Sequence, residues 1–402
     1  MPLLAAATIV AKCNLALARV TAQSFRAEHP DIPFFVLVTD EIEGYFEPDQ
    51  EAFELLSIDD LGKQALLSWC FRYDQLPLSY ALTPGLLEYL LDRGFEQVLF
   101  IKQESLVLGR LSSVLDLLPQ CSITLTPHLL KPLQGPGCER RELDILQAGT
   151  INGGLIGIRD TTTTRAALAW WRQRVEYNCL HDVAAGMHYE QRWLDLLPCF
   201  FADVRIIRDP GCNVGHWHLP ERTVRIEGQQ VHADDHPCSL FRFSGFEPTQ
   251  PLQATRYFER LTTTEMGDAG QVFARYHRLL MEAGHSQCSH WPYTWAAFDN
   301  GIPVPAIARD LYRQLGPAVQ AFGNPFASRE RNSFFAWLTE SVRKEAPGIS
   351  RMWHALYLKR RDVMAAYPDP YGQDRLGLIG WINTTGWQEF AIDPRLCPRP
   401  AV

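Results

Sequence analysis

The sequence predicts an α/β fold, a mainly parallel sheet flanked by helices, followed by a helical C-terminal region. Three observations carry this. Short apolar runs, continuous enough to be covered on both faces, recur at LLAAATIV (3–10), PFFVLVTD (33–40) and EQVLFI (96–101). Segments with helical spacing of apolar residues separate them. After about residue 250 the apolar runs give way to helical patterns divided by Gly- and Pro-containing turns.

In chain order, 3–10 reads as a first buried strand. Leu15, Ala18, Ala22 and Phe25 then recur at helical spacing until Pro30 ends the segment. The run 33–40 is a second strand that finishes in an acid, Asp40. A helix is expected near 84–92, with Pro84 at its start, Leu86, Leu87, Leu90 and Leu91 on one face, and Gly94 after it. The third strand is 96–101, the fourth ITLTP (123–127), and the fifth GGLIGI (153–158). TTTT (161–164) after Asp160 reads as a helix start, the helix running through Trp170 and Trp171. Segments 253–284, 305–320, 333–346 and 350–366 are read as helical. The expected division is a catalytic domain over 1–250 and a mainly helical region over 251–402.

The composition narrows the function classes. Of the 402 residues 46% are apolar and 21% charged, with a net charge of −8, so there is no general case for nucleic acid. No apolar run is long enough for a membrane span. The apolar N-terminus lacks a basic flank and is expected to be a first strand, not a signal peptide. Ten cysteines without CxxC spacing read as reduced thiols, as in a cytoplasmic protein.

Polar and glycine-rich clusters interrupt the rhythm at FRYD (71–74), IKQES (101–105), AGTINGG (148–154), YEQRWLD (189–195), DPGCNVGHWHLPER (209–222) and FRFSGFEP (241–248). In open parallel sheets ligands sit at the carboxyl ends of strands, where Asp40 and Lys102–Glu104 both fall. Each cluster alone is also what an ordinary turn looks like. His216 and His218 form an HxH without an evident third ligand, so no metal role is assigned to them. Trp170 and Trp171 suit helix packing.

Taken in order, these clusters resemble the GT-A glycosyltransferases, and more closely a group of bacterial glycosyltransferases distantly like the glycogenin type. The resemblance extends over nearly the whole chain, including FDNGIPVP (298–305), FGNPF (322–326), FFAWL (334–338) and YPDPYGQDR (367–375). It implies a GT-A-like, Rossmann-like domain that moves a sugar from a nucleoside-diphosphate sugar to an acceptor. The family's two metal-binding aspartates correspond to Lys102 and Glu104, and its metal-binding histidine to Arg242. Its "DQRW" acid is present as Glu190. By analogy, UDP and retention of configuration are slightly favoured.

Lys and Arg cannot ligate a divalent metal, whereas both can stabilise a departing diphosphate. The expectation is therefore a metal-free enzyme with no cofactor. Lys102 and Arg242 would face the diphosphate, and Asp40 would help seat the nucleoside. Glu104 lies in the same nucleotide-sugar site. Asn152, Gly154 and Glu190 contact the donor sugar, with Glu190 a general base or a sugar-hydroxyl acceptor. Asp74, Asn213, Trp217 and His218 line the sugar or acceptor side. The acceptor, whether glycan, lipid-linked glycan, protein or small molecule, stays open. The competing expectation is a non-catalytic binding or scaffold protein of the same fold, supporting a partner enzyme. The enzyme needs both cations at the diphosphate, beside Asn152 and Glu190. A scaffold lets them pair with carboxylates.

Overall fold

The computed structural model describes residues 3–257 and 261–398. The chain divides into two compact units, one of residues 1–62 and 75–293, the other of 63–74 and 294–402.

The first unit is built on a seven-stranded sheet: β1 (Leu4–Val10), β2 (Phe34–Val38), β3 (Glu54–Ser57), β4 (Gln97–Ile101), β5 (Ile123–Pro127), β6 (Ile151–Arg159) and β7 (Val204–Ile206). Their order across the sheet is β7-β5-β6-β4-β1-β2-β3. All neighbours run parallel except β6, which is antiparallel to both β4 and β5. The central strands are apolar on both faces because helices cover both. Ala5, Ala6, Ala7, Val36, Leu37, Val98 and Leu99 are wholly buried. The helix Leu15–Glu28 lays Leu15, Ala18, Ala22 and Phe25 against the sheet, in a core shared with Phe34, Val36, Leu99 and Leu155.

This is the expected fold class, and the helix read near 84–92 is Thr83–Asp92. The TTTT start is also present: Thr161 caps the helix Thr162–Val175 by accepting a hydrogen bond from the Thr164 N–H. Two strands absent from the sequence reading, β3 and β7, are the edges of the sheet. Edge strands need only partial burial, so Glu54 lies exposed between buried Phe53 and half-buried Leu55, and Arg205 between half-buried Val204 and Ile206.

The helix read over 253–284 is observed only as Asp268–Glu282, followed by the short turn His285–Cys288; residues 258–260 lie outside the described residues. Gly267, at φ 55°, precedes the helix. The preceding segment folds back until the Thr263 carbonyl occupies the space a side chain on Gly270 would need. This helix packs Ala269, Val272, Phe273, Tyr276 and Leu280 with Phe241, Phe243 and Phe246. It therefore belongs to the first unit, which continues to residue 293, beyond the expected division at 250.

The second unit is mainly helical, with Lys63–Arg72, Ala306–Gln314, Phe334–Thr339, Arg351–Leu358, Arg361–Ala366 and Arg375–Trp381. Its aromatic centre is Phe71, Phe298, Tyr312, Phe326 and Phe334. Buried Arg309 donates to the carbonyls of Cys70, Phe71, Tyr73 and Trp295, satisfying the end of the first helix. Asp74 belongs to this unit. No helix among the described residues is long and apolar enough to cross a membrane.

Candidate functional site

The site is assembled at the carboxyl end of β4. After Ile101 the chain turns through Lys102, Gln103 and Glu104 into a short strand, Ser105–Val107, which pairs antiparallel with Leu240–Arg242 so that Arg242 faces Ser105. Backbone bonds hold this turn on every side. The Lys102 N–H donates to Gly154 C=O at 2.9 Å, and the Phe243 N–H to Glu104 C=O at 2.8 Å. The Thr21 hydroxyl donates to Gln103 C=O at 2.8 Å. Residues distant in sequence thereby bring Lys102 and Arg242 to two successive glycines of one strand, Gly153 and Gly154.

Four charges meet there. The Lys102 ammonium lies 2.5 Å from a Glu190 carboxylate oxygen, with side-chain exposures of 8% and 1%. Arg242 Nη2 lies 3.4 Å from Glu104 Oε2, with exposures of 2% and 15%. Burial lowers the Arg242 pKa, and the charge of Glu104 opposes that shift. Arg242 Nε and Nη1 have no hydrogen-bond partner among the described residues.

A double glycine lets the β6 backbone pass beneath these groups. Against β5 the register jumps from Leu125↔Ile156 to Thr126↔Asn152, which leaves Gly153, Gly154 and Leu155 unmatched in that ladder. A Cβ on Gly154 would overlap Arg242 Nη1 and come within 2.5 Å of Asn152 Oδ1. A Cβ on Gly153 would stand 3.0 Å from Glu190 Oε1 and 3.7 Å from Lys102 Nζ. No other residue type fits Gly154 with the cation where it is.

Asn152 organises the neighbouring wall. Its Oδ1 accepts from the Gly154 N–H at 2.8 Å and from Asn213 Nδ2 at 3.1 Å, and its Nδ2 faces His128 Nε2 at 2.9 Å. Asn213 also donates to Thr126 Oγ1 at 3.0 Å and adopts φ 58°, a conformation asparagine tolerates. Gln191 accepts from the Gly153 N–H and donates to Ala148 C=O, both at 2.9 Å, so the residue after Glu190 ties that acid to the glycine strand. Asp195 accepts from the Ile151 N–H at 2.9 Å.

Aromatic and imidazole rings close the remaining side. Trp217 packs edge-on against His128 at 5.5 Å and His216 at 5.2 Å. Its indole N–H points at His218 Nε2, 3.1 Å away. Burial depresses these imidazoles, and that of His188 in the short strand Met187–His188: His128 to about 3, His188 and His216 to about 4, His218 well below 6.5. They are neutral hydrogen-bonding groups at ordinary pH.

Of the sequence-derived candidates, Lys102, Glu104, Asn152, Gly154, Glu190, Asn213 and Arg242 form one contiguous cluster, which Trp217 and His218 join through His128. Asp40 stands at the end of β2, where its carboxylate accepts from the Lys12 N–H at 2.8 Å and lies 3.5 Å from Lys12 Nζ. Asp74 is in the other unit. The sequence reading passed over Lys12, Tyr80, His128 and Gln191. Lys12 and Gln191 carried a local signal: one stands two residues past the end of the first buried strand, and the other sits inside YEQRWLD.

A divalent metal does not suit these residues. The carboxylates of Glu104 and Glu190 each already face a cation, and Lys102 and Arg242 offer no lone pairs. Among the described residues no group of three or more His, Cys, Asp or Glu side chains is placed to hold one.

No family model matches the chain. It is 26% identical over 246 residues to the uncharacterized protein YfnF of Bacillus subtilis (strain 168), an alignment covering 60% of this chain and 80% of that one. Among solved structures it is similar to the galactosyltransferase LgtC in complex with donor and acceptor sugar analogues, with a TM-score of 0.38, 16% identity, and coverage of 68% of this chain and 95% of that one. It is also similar to the glycosyltransferase GlyE of Streptococcus pneumoniae TIGR4, with a TM-score of 0.42, 12% identity, and coverage of 77% and 73%. Its structural neighbours are thus glycosyltransferases at low identity, a likeness too distant to bear on chemistry.

Proposed function

We propose that the protein is a glycosyltransferase that moves a sugar from a nucleoside-diphosphate sugar to an acceptor without a divalent metal. The observation that carries this reading is the Arg242 guanidinium. It is buried over Gly154, and among the described residues its Nε and Nη1 have no hydrogen-bond partner. A buried unsatisfied donor costs about 1–3 kcal/mol. Phosphate oxygens would satisfy such donors, and a guanidinium suits them through its fixed fork.

In the reaction the bond from the anomeric carbon to the diphosphate breaks and a bond to an acceptor oxygen forms. Lys102 and Arg242 offset the charge that develops on the diphosphate. Glu104 borders the same diphosphate. Glu190, beside the glycine strand, accepts the acceptor's proton or a sugar hydroxyl. Asn152 and Gly154 meet the donor sugar. Asn213, Trp217 and His218 lie towards the acceptor, and Asp40 towards the nucleoside. Asp74 is assigned to the sugar or acceptor side, the donor is taken as a UDP-sugar, and the setting is the bacterial cytoplasm.

One observation favours a second reading, a non-catalytic protein of the same fold. Each cation already faces a carboxylate, so the four charges cancel. Turnover separates the two. The full chain is screened against nucleoside diphosphates and nucleotide-sugars by thermal shift, and release of nucleoside diphosphate is then followed with each sugar that binds. Binding with release supports the enzyme. Binding without release across an acceptor panel supports the non-catalytic reading, and no binding at all overturns the enzyme.

A further inference from the structure

Lys102 has a flexible four-carbon stem, and a lysine at the end of a strand ordinarily samples several rotamers. Here its ammonium is confined. Glu190 stands on one side at 2.5 Å, and the Tyr80 ring lies under it with the centroid 3.9 Å away. The Gly153 backbone closes a further side. Tyr80 belongs to the helix Gln75–Ala81 and is only 7% exposed. Its ring is braced edge-on by Tyr189 at 5.2 Å. Tyr189 has φ 50°, a backbone conformation unusual for tyrosine, and directly precedes Glu190. One turn therefore supports both the carboxylate and the ring that grip the ammonium.

We infer that Tyr80 is a positioning residue, whose aromatic face fixes the Lys102 ammonium where a ligand's phosphate oxygens would meet it. The value of the inference for catalysis rests on the proposed nucleotide-sugar site; the confinement of Lys102 does not. A desolvated cation over an aromatic face is more strongly held than an exposed one, because little water competes for it. Burial keeps the Tyr80 hydroxyl protonated far above its ordinary range, so the ring acts as a neutral π face and not as a phenolate partner.

The test compares Tyr80→Phe, which keeps the face, with Tyr80→Leu, which removes it; Tyr80→Met replaces the latter if Leu does not fold. Two measurements are made on the full chain. The first is the ¹H–¹⁵N signal of the Lys102 ammonium, assigned by its loss in Lys102→Met and visible only while the group is held away from rapid exchange with water. The second is affinity for inorganic pyrophosphate and for UDP. The signal is expected in the native chain and in Tyr80→Phe, and absent in Tyr80→Leu. Affinity is expected to fall about tenfold in Tyr80→Leu and to be restored in Tyr80→Phe. A Tyr80→Leu chain that keeps the signal overturns the inference, as does a Tyr80→Phe chain that behaves like Tyr80→Leu. If the native chain binds neither pyrophosphate nor any nucleoside diphosphate, the proposed function falls, while the ammonium signal still decides the role of Tyr80.

Discussion

Lys102 and Glu190 form a buried ion pair at 2.5 Å, although one ends a central strand and the other follows a strained turn beyond the Thr162–Val175 helix. Removing one partner of such a pair strands a charge in a dry site, at a cost of about 3–5 kcal/mol. Lys102→Met or Glu190→Leu alone should each destabilise the protein by that order. The double replacement should recover most of the loss, because no lone charge is left. Urea unfolding of the four proteins at pH 7 gives the coupling; additive losses would show that the pair is not formed in solution.

Glu190→Gln addresses chemistry. The amide is nearly isosteric but can neither take a proton nor carry charge. Turnover should fall by about a hundredfold or more, the size of a lost acid–base contribution. An unchanged kcat in initial-rate measurements would remove Glu190 from the reacting centre.

Metal dependence follows from the charge arrangement. Lys102 and Arg242 offer a metal no lone pairs, and the carboxylates of Glu190 and Glu104 each already face one of these cations, so UDP or nucleotide-sugar affinity, measured by calorimetry, should be the same with EDTA as with Mn²⁺. Affinity that collapses in EDTA would contradict the proposed diphosphate contacts.

The double glycine gives a graded prediction. Gly154→Ala drives a methyl group into the Arg242 guanidinium and should cost about 1–3 kcal/mol of stability. It should also weaken diphosphate binding about tenfold or more by displacing a charge-assisted contact. Gly153→Ala meets nothing nearer than the Glu190 carboxylate at 3.0 Å, with Leu194 Cδ1 at 3.4 Å, and should be the milder of the two. Thermal unfolding and UDP titration of both variants test the ranking.

The buried imidazoles set a pH dependence. His128 is depressed to about 3, and His188 and His216 to about 4, from an unfolded value near 6.5. The unfolded chain thus takes up protons first as pH falls. The stabilisation is complete above about pH 6.5 and is lost progressively as pH falls towards 4, by up to about 1.4 kcal/mol per pH unit for each histidine. Urea midpoints should drop between pH 7 and pH 5, and His216→Asn should flatten that slope. A midpoint independent of pH would show that these rings are not held neutral.

Local physics made much of the fold legible in the sequence. β1, β2 and β4 read correctly because a strand covered on both faces must be apolar throughout, and Thr161 was readable as a helix start because a cap is a contact within one turn. The clusters IKQES, AGTINGG, YEQRWLD and FRFSGFEP flagged the site because they break that pattern at strand ends. Edge strands β3 and β7 were invisible, since half-buried strands carry no distinctive pattern. The antiparallel direction of β6 was equally hidden, because direction is a property of pairing and not of composition. Only the tertiary structure decided that Lys102 meets Glu190 and rests on Tyr80, and that Arg242 lies over Gly154 with two nitrogens unpartnered among the described residues. These relations join residues far apart in the chain, and nothing in the local sequence specifies which distant carboxylate or ring a cation will meet once the backbone has closed around it.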